Sequence, residues 1–557
     1  MNINNDSIIS INNLSVQYKL SNTYALKDIS FKQYRGQKIL LMGRTGAGKS
    51  TFCYCIKGII PYIIPASVNG NIIFKNQKIA KPEITIGLVL QEFESQIFNS
   101  TIELEIAFGL QNLGLKRGKI KEIVQYSLEK FNLLSYATKS PYYISGGQKQ
   151  RLAIASIWAM KPEIFILDEP LTDLDTEARK ILFNLIIQLA KEETSIILVD
   201  NDLENAPFFD KVIIMNKGSI IIEDRPKNIL KDSLEYIEYG IRPPTHISLL
   251  KDLKLPHQED LTLEKSVNII KKSINYPISL TLQQKQPKIN SENILTFDNV
   301  SFHYPNSNFG VFDINLEIKK GEFIGLIGTN GSGKTTLLKL MTGILYPNKG
   351  KVLLKDIEPH RIPANIIPQT IGYVFQNPDH QLFTNSIKEE LLYCMKTANK
   401  FHINYDEKIK QILKTIHMEG FENYDPFLLT KGERQKIAVA TALINEPDII
   451  ILDEPSTGLD YKEQLSLMQL LQKLHKDGKT IIITTHSLWI IEEYSEKCIM
   501  LKDGKIISAG YVSSLFSCLD NFLKANLSPT ELSIICNKLN LPFLTYTNLI
   551  RYLREFI

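Results

Sequence analysis

Two lysines set the chemistry of this chain. Lys49 lies in the run Gly43, Arg44, Thr45, Gly46, Ala47, Gly48, Lys49, Ser50, Thr51, and Lys334 in the run Gly328, Thr329, Asn330, Gly331, Ser332, Gly333, Lys334, Thr335, Thr336. Glycines at these spacings let backbone N–H groups close around phosphate oxygens. The helix that follows adds its positive N-terminal end. Lys49 and Lys334 would reach the β and γ phosphates of a nucleotide, and Ser50 and Thr335 would ligate Mg²⁺. Both runs follow a short apolar stretch, ILLMG and FIGLIG, which reads as a buried strand feeding a turn and a helix.

A second pair of motifs supplies carboxylates. FILD and IILD are apolar strands that end in Asp168 and Asp453, so each acid stands at a strand's C-terminal edge, where it can hold Mg²⁺ through water. Glu169 and Glu454 come next and would orient or deprotonate an attacking water; a positioned base contributes roughly 10²–10⁴-fold.

The positioning elements repeat. Lys49 and Lys334, Asp168 and Asp453, and Gln91 and Gln376 each stand 285 residues apart. One register over a whole domain signals duplication. The repeat continues past the phosphate chemistry: RPPTHISLLKDLKLP around Pro244 resembles SPTELSIICNKLNLP around Pro529. Ser528 could cap a helix there, with Pro529 at its first position and Glu531 closing a capping box. Leu532, Ile535 and Leu539 then share one face. The expected organisation is a first nucleotide-binding domain over 1–235, a helical appendage over 236–257, a polar, basic linker over 258–292, a second nucleotide-binding domain over 293–517 and a second appendage over 518–557.

Bulk properties agree with a soluble globular chain. Of 557 residues, 44% are hydrophobic and 22% charged, and the net charge of +4 is no footprint for a dedicated nucleic-acid binder. Six scattered cysteines show neither metal spacing nor a disulfide framework, which points to a reducing compartment. The opening MNINNDSIIS lacks a signal-peptide layout, and no stretch reaches the ~18 apolar residues of a membrane helix. If this protein works at a membrane, another chain must span it.

In their order, the phosphate loop, glutamine loop, signature sequence, Asp-Glu pair and switch residue resemble the ATP-binding-cassette (ABC) family, over nearly the whole chain. The resemblance implies an α/β fold: two tandem P-loop domains of ABC type, each with a helical subdomain. It implies Gln91 and Gln376 beside Mg²⁺ and the attacking water, and Tyr18 and Tyr304 stacked on adenine unless they are ordinary packed aromatics. It also implies that each nucleotide lies between the phosphate loop of one domain and the signature of the other. Asp175 and Asp460 match the loop that signals between the two sites.

The two composite sites differ. The first signature, Ile144, Ser145, Gly146, Gly147, Gln148, is close to the family pattern; the second, Leu429, Thr430, Lys431, Gly432, Glu433, puts Lys431 where glycine is expected. Lys431 would crowd the site, or could itself contact phosphate. The switch residue is His486 in the second half and Asn201 in the first; asparagine cannot carry a proton as histidine can. Both departures fall on the site built on the first phosphate loop. The expectation is one competent site (Lys334, Glu454, His486) and one impaired site (Lys49, Glu169, Asn201); neutral drift with both sites active is the alternative.

The pattern Gln91-EFES-Gln96-Ile-Phe98, repeated as Gln376-NPDH-Gln381-Leu-Phe383, resembles the ATPases of energy-coupling-factor importers of vitamins and transition-metal ions. That implies polytopic membrane partners, a coupling subunit and a substrate-binding subunit, and a place on the cytoplasmic face of the cell membrane. Phe98 and Phe383 are either anchors for a partner helix or core residues. A fused sugar-importer ATPase, a soluble two-cassette translation factor and a non-hydrolysing scaffold are the alternatives. Cys53 and Cys55 read as helix packing, Trp158 and Trp489 as core. Lys116, Arg117, Lys119 and Lys121 read as a solvated face, with lipid head groups as the other option.

Overall fold

The short apolar runs become the central strands. Lys38–Gly43, Ile164–Asp168 and Ser195–Val199 are buried almost throughout, as parallel strands covered on both faces must be. The computed structural model describes residues 7–19, 21–190, 194–256, 262–274, 292–305, 309–400 and 404–557. In it a six-stranded sheet runs Ser219–Asp224, Lys211–Asn216, Lys38–Gly43, Ser195–Val199, Ile164–Asp168, Ile86–Val89. Only its first pair is antiparallel. The second half repeats the order with Lys505–Tyr511, Lys497–Lys502, Phe323–Gly328, Thr480–Thr484, Ile449–Leu452 and Ile371–Val374. Each phosphate loop leaves a middle strand, so its ligand would collect at the carboxyl edge of the sheet, beside the Asp-Glu pair.

A smaller antiparallel sheet flanks each core. Ser7–Tyr18 pairs with Leu26–Tyr34 on one side and Ala66–Phe74 on the other. Asn293–His303 does the same with Gly310–Lys319 and Lys349–Leu354. Leu26–Tyr34 alternates buried and exposed residues, the mark of a sheet with one solvated face. Helices Ile102–Asn112 and Gly146–Trp158, and their counterparts Ile387–Thr397 and Lys431–Leu443, form the helical layers. No helix among the described residues is long and apolar enough to cross a membrane.

The appendage helices Thr245–Asp252 and Glu531–Lys538 pack on each other. Leu249, Leu250, Leu532 and Ile535 share one apolar cluster with the helical layer of the second cassette. The stretch expected as linker carries a helix, Leu263–Ser273, whose buried Val267 and Ile270 join the same cluster; residues 257–261 and 275–291 lie outside the described residues. Capping at the second appendage departs from expectation. Thr530 is the cap and accepts from the Ser533 N–H, while Ser528 N–H donates to Thr176 Oγ1 of the first cassette at 3.1 Å. Glu531 turns away from the cap because His246 offers it a partner in the facing appendage. Leu532, Ile535 and Leu539 share the buried face as expected.

Candidate active sites

The phosphate loops need glycine where the chain turns into the helix. Gly48 and Gly333 sit at φ 100 and 101 at the start of Lys49–Lys57 and Lys334–Met341. A Cβ on Gly48 would lie 2.6 Å from Ala25 O; only glycine takes that backbone without strain. Lys49 Nζ donates to Gly43 O (2.6 Å) and Arg44 O (3.2 Å), and Lys334 Nζ to Gly328 O (2.8 Å) and Thr329 O (3.2 Å). Both ammonium groups are thus held over the loop mouth. Tyr18 Oη lies 3.0 Å from Thr51 Oγ1 and Tyr304 Oη 3.3 Å from Thr336 Oγ1, which ties each tyrosine to the end of its loop.

The two Asp-Glu pairs are wired differently. In the second half, the Thr484 hydroxyl donates to Asp453 Oδ1 at 2.8 Å and accepts from the Glu454 N–H at 2.7 Å, while Tyr373 Oη donates to Asp453 Oδ2 at 3.2 Å. The His486 N–H donates to Glu454 Oε2 at 3.0 Å, and its Nε2 stands 3.3 Å from Oε1. Burial pushes the Glu454 carboxyl up to about 7 against the pull of Lys334, and pushes His486 down to about 3, helped by Lys334. Imidazole is therefore neutral. In the first half, Val199 and Leu88 stand where Thr484 and Tyr373 do. Neither oxygen of the buried Asp168 finds a well-formed hydrogen bond, and burial pushes its carboxyl up to about 6 although Ser50 and Lys49 draw it down. Glu169 is held by Gln91 Nε2 (2.9 Å) and Lys49 (3.4 Å), and the Asn201 side chain instead accepts from the Gly43 N–H at 3.0 Å. No bond of the Gln91 type joins Gln376 to Glu454 among the described residues. Glu169 and Glu454 both sit at φ 49, a left-handed conformation uncommon outside glycine and concentrated at functional sites.

The cassettes meet through their signalling loops. Asn330 N–H donates to Asp175 Oδ2 at 2.9 Å, and Asn330 Nδ2 to Asp173 O at 3.1 Å. The contact recurs in reverse: Thr45 N–H and Arg44 Nε both reach Asp460 Oδ2 at 3.4 Å. Each phosphate loop therefore faces the other cassette. Ser145 and Thr430 cap Gly146–Trp158 and Lys431–Leu443 in capping boxes with Gln148 and Glu433. Ser145 and Gly146 are exposed and Gly147 partly so; no hydrogen bond links them to the loop opposite among the described residues. A Cβ at Gly146 would meet nothing within 4 Å. Lys431 lies against Gly458 and faces Asp173 across the interface, where burial raises the Asp173 carboxyl above its usual range and Lys431 opposes the rise.

Between the cassettes lies a cavity of about 450 Å³, lined by Glu169 and Asn201 from one half and Glu454 and His486 from the other. Its first-half wall holds Arg179, 3.1 Å from Asp202 and 3.4 Å from Asp200, which fixes the segment carrying Asn201. Trp489, expected in the core, is partly buried against the apolar cluster of the second half and also lines this cavity, with its ring 5.2 Å from Tyr461 and under Arg242. Trp158, Cys53 and Cys55 are buried as expected. Lys116, Arg117, Lys119 and Lys121 are exposed.

Phe98 and Phe383 are exposed by 63% and 59%, so neither is core. Each packs edge-on against an aromatic of the next helix, Phe108 or Tyr393. The loops beneath are braced. Gln96 bridges Leu90 N–H and Leu88 O, and Gln381 accepts from Phe375 N–H and donates to Thr441 Oγ1. Buried Glu105 and Glu390 accept the Phe98 and Phe383 N–H groups at 3.1 and 3.0 Å. These glutamates escaped the sequence reading; an acid inside an apolar helical run, repeated at the same register, was the available signal.

The donors suit a magnesium nucleotide. No group of three or more His, Cys, Asp or Glu converges among the described residues. One carboxylate and one hydroxyl beside a phosphate loop, hard oxygen donors that leave the remaining positions to phosphates and water, are the usual protein share of a Mg²⁺ site. Paired sites of this kind on a doubled parallel sheet define a tandem P-loop nucleoside triphosphatase. The family model described as ABC transporter matches residues 26–172 and 311–457. A protein of Caldanaerobacter subterraneus subsp. tengcongensis with the provisional name ABC transporter ATP-binding protein is 36% identical over 98% of both chains. A solved chain described as cbiO1 of Clostridium perfringens, part of the ABC transporter complex cbiONQ, is 31% identical over 42% of this chain and 95% of its own, with TM-score 0.38. The archaeal ribosome recycling factor aABCE1, solved in complex with the ribosomal stalk protein aP1, matches 90% of each chain at 20% identity and TM-score 0.56, a likeness of fold. The chain belongs to the ABC transporter family: it is a two-cassette ATP-binding ATPase.

Proposed function

We propose that this ATPase powers an importer of the energy-coupling-factor type, with hydrolysis concentrated at the second phosphate loop. The observation that carries the importer reading is the pair of exposed phenylalanines, Phe98 and Phe383, on loops that Gln96, Gln381, Glu105 and Glu390 hold rigid. An apolar anchor on a braced loop suits an amphipathic helix from a membrane subunit. Closing of the cassettes on ATP and reopening after hydrolysis would carry both anchors and so reorient that subunit. The cargo class is a vitamin or transition-metal ion, read by a separate substrate-binding membrane protein.

At the second loop, Lys334 neutralises phosphate charge, Glu454 takes the proton of the attacking water, and neutral His486 holds Glu454 by its N–H. Thr335, Asp453 and Gln376 would hold Mg²⁺, which would neutralise charge on the phosphates. At the first loop, Ser50, Asp168 and Gln91 are the corresponding holders, but Asn201 is spent on the Gly43 N–H and Lys431 stands at the facing signature. That site holds nucleotide and turns it over slowly.

The test is affinity purification of the chain from native membranes in mild detergent, with partners identified by mass spectrometry. Small polytopic membrane proteins among the partners uphold the reading. Ribosomes without membrane proteins overturn the importer and leave the ATPase.

A further inference from the structure

We infer that Thr484 and Tyr373 are positioning residues that make the second site the better catalyst, by fixing its Asp-Glu pair before nucleotide arrives. This rests on the reading that the second phosphate loop is the hydrolytic one. The Thr484 hydroxyl does two jobs with one oxygen. It donates to Asp453 Oδ1 at 2.8 Å and accepts from the Glu454 backbone N–H at 2.7 Å. A single buried side chain thus sets the metal-facing carboxylate and the backbone that aims the base. Tyr373 Oη donates to the other carboxylate oxygen, Oδ2, at 3.2 Å. With both oxygens held from behind, the Asp453 carboxylate cannot rotate freely.

The first half offers the internal control. Leu88 and Val199 occupy the equivalent positions and have no hydroxyl. Asp168 accordingly has the phosphate-loop hydroxyl of Ser50 drawing on its carboxylate but no hydroxyl from the neighbouring strands, and the Glu169 N–H turns to a backbone acceptor, Val199 O, at 3.1 Å. The strands carrying the four residues are equivalent in both sheets, so the difference is one of side chains and not of fold. Outer partners that orient ligating carboxylates typically change metal affinity or activity by roughly 10- to 100-fold.

The experiment is Thr484→Val in the full chain, with Thr484→Ser as the rescue. Valine is the near-isostere, and its presence at Val199 indicates that the sheet tolerates it. Two readouts are taken: steady-state turnover, and the Mg²⁺ concentration for half-maximal binding of a fluorescent ATP analogue, which needs no hydrolysis. The expected result for valine is a roughly 10- to 100-fold fall in turnover with a higher Mg²⁺ requirement, and for serine recovery of both. Tyr373→Phe is expected to shift both in the same direction by less. An unchanged Mg²⁺ requirement in Thr484→Val, or equal damage from serine and valine, overturns the inference. Full turnover in Glu454→Gln would instead overturn the assignment of hydrolysis to the second loop.

Discussion

His246 and Glu531 occupy the same place in the repeat, 285 residues apart, and touch each other: His246 Nδ1 lies 3.0 Å from Oε1 and the His246 N–H donates to Oε2 at 3.2 Å. A contact between equivalent positions puts the pseudo-twofold axis of the molecule between them. The appendages are therefore a clasp on that axis. Glu531→Ala, which removes the carboxylate from a nearly buried imidazole, is expected to lower stability by about 1–2 kcal/mol. The readout is a lower urea midpoint at unchanged slope. An unmoved midpoint would mean that the apolar faces alone hold the clasp.

The unequal wiring of the glutamates predicts unequal variants. Glu454→Gln is expected to slow turnover at least about 100-fold, and Glu169→Gln to leave most of it. Phosphate release under saturating Mg²⁺ and ATP decides it. Equal losses would mean that both sites contribute alike and that Asn201 and Lys431 are neutral changes.

Burial gives the hydrolytic site a pH signature. Glu454 titrates at about 7 and acts as base only when ionised, whereas His486 is down at about 3 and stays neutral above that. Turnover should rise roughly tenfold per unit well below pH 7 and level off above it. An additional inflection that His486→Ala abolishes would contradict a neutral imidazole.

The same burial bears on stability. Glu492, packed under the second appendage, is pushed up to about 7 from 4.5, chiefly by burial. A raised acid holds its proton more tightly in the folded state, so its contribution is present below about pH 4.5 and is lost as pH climbs through 7. Glu492→Gln should gain on the parent protein from pH 5 to about pH 7 in thermal melts and keep a constant advantage above that. A constant difference across that range would show that Glu492 does not titrate there.

The interface aspartates each do two jobs. Asp175 caps Thr176–Leu189 and receives the Asn330 N–H; Asp460 caps Tyr461–Lys476 and receives the Thr45 N–H. Either alanine variant should cost about 1 kcal/mol through the lost cap. Only Asp175→Ala, which borders the second phosphate loop, should also slow turnover. Equal effects on turnover would argue that both loops signal to one shared step.

Much of this was legible in the residues. Phosphate loops, acid pairs and buried strands are local patterns: a few adjacent side chains, or a strand's near-continuous apolar run, determine them whatever lies elsewhere. The repeat register did the rest, since 285 residues separate the phosphate-loop lysines, the acid pairs and the loop glutamines, and similar local sequences fold alike. The departures at Asn201 and Lys431 were visible for the same reason. What the tertiary structure decided are the contacts between distant segments. No spacing announces that Thr484 would reach both Asp453 and Glu454, because neighbouring strands are brought together by the sheet. The choice of Thr530 over Ser528 as cap follows from the facing half of the molecule, where Thr176 takes the Ser528 N–H and His246 takes Glu531; the helix within 258–292 and the lining role of Trp489 follow from the apolar cluster they pack against. A cap or an aromatic face takes the partner that the twofold arrangement offers, and that partner is hundreds of residues away.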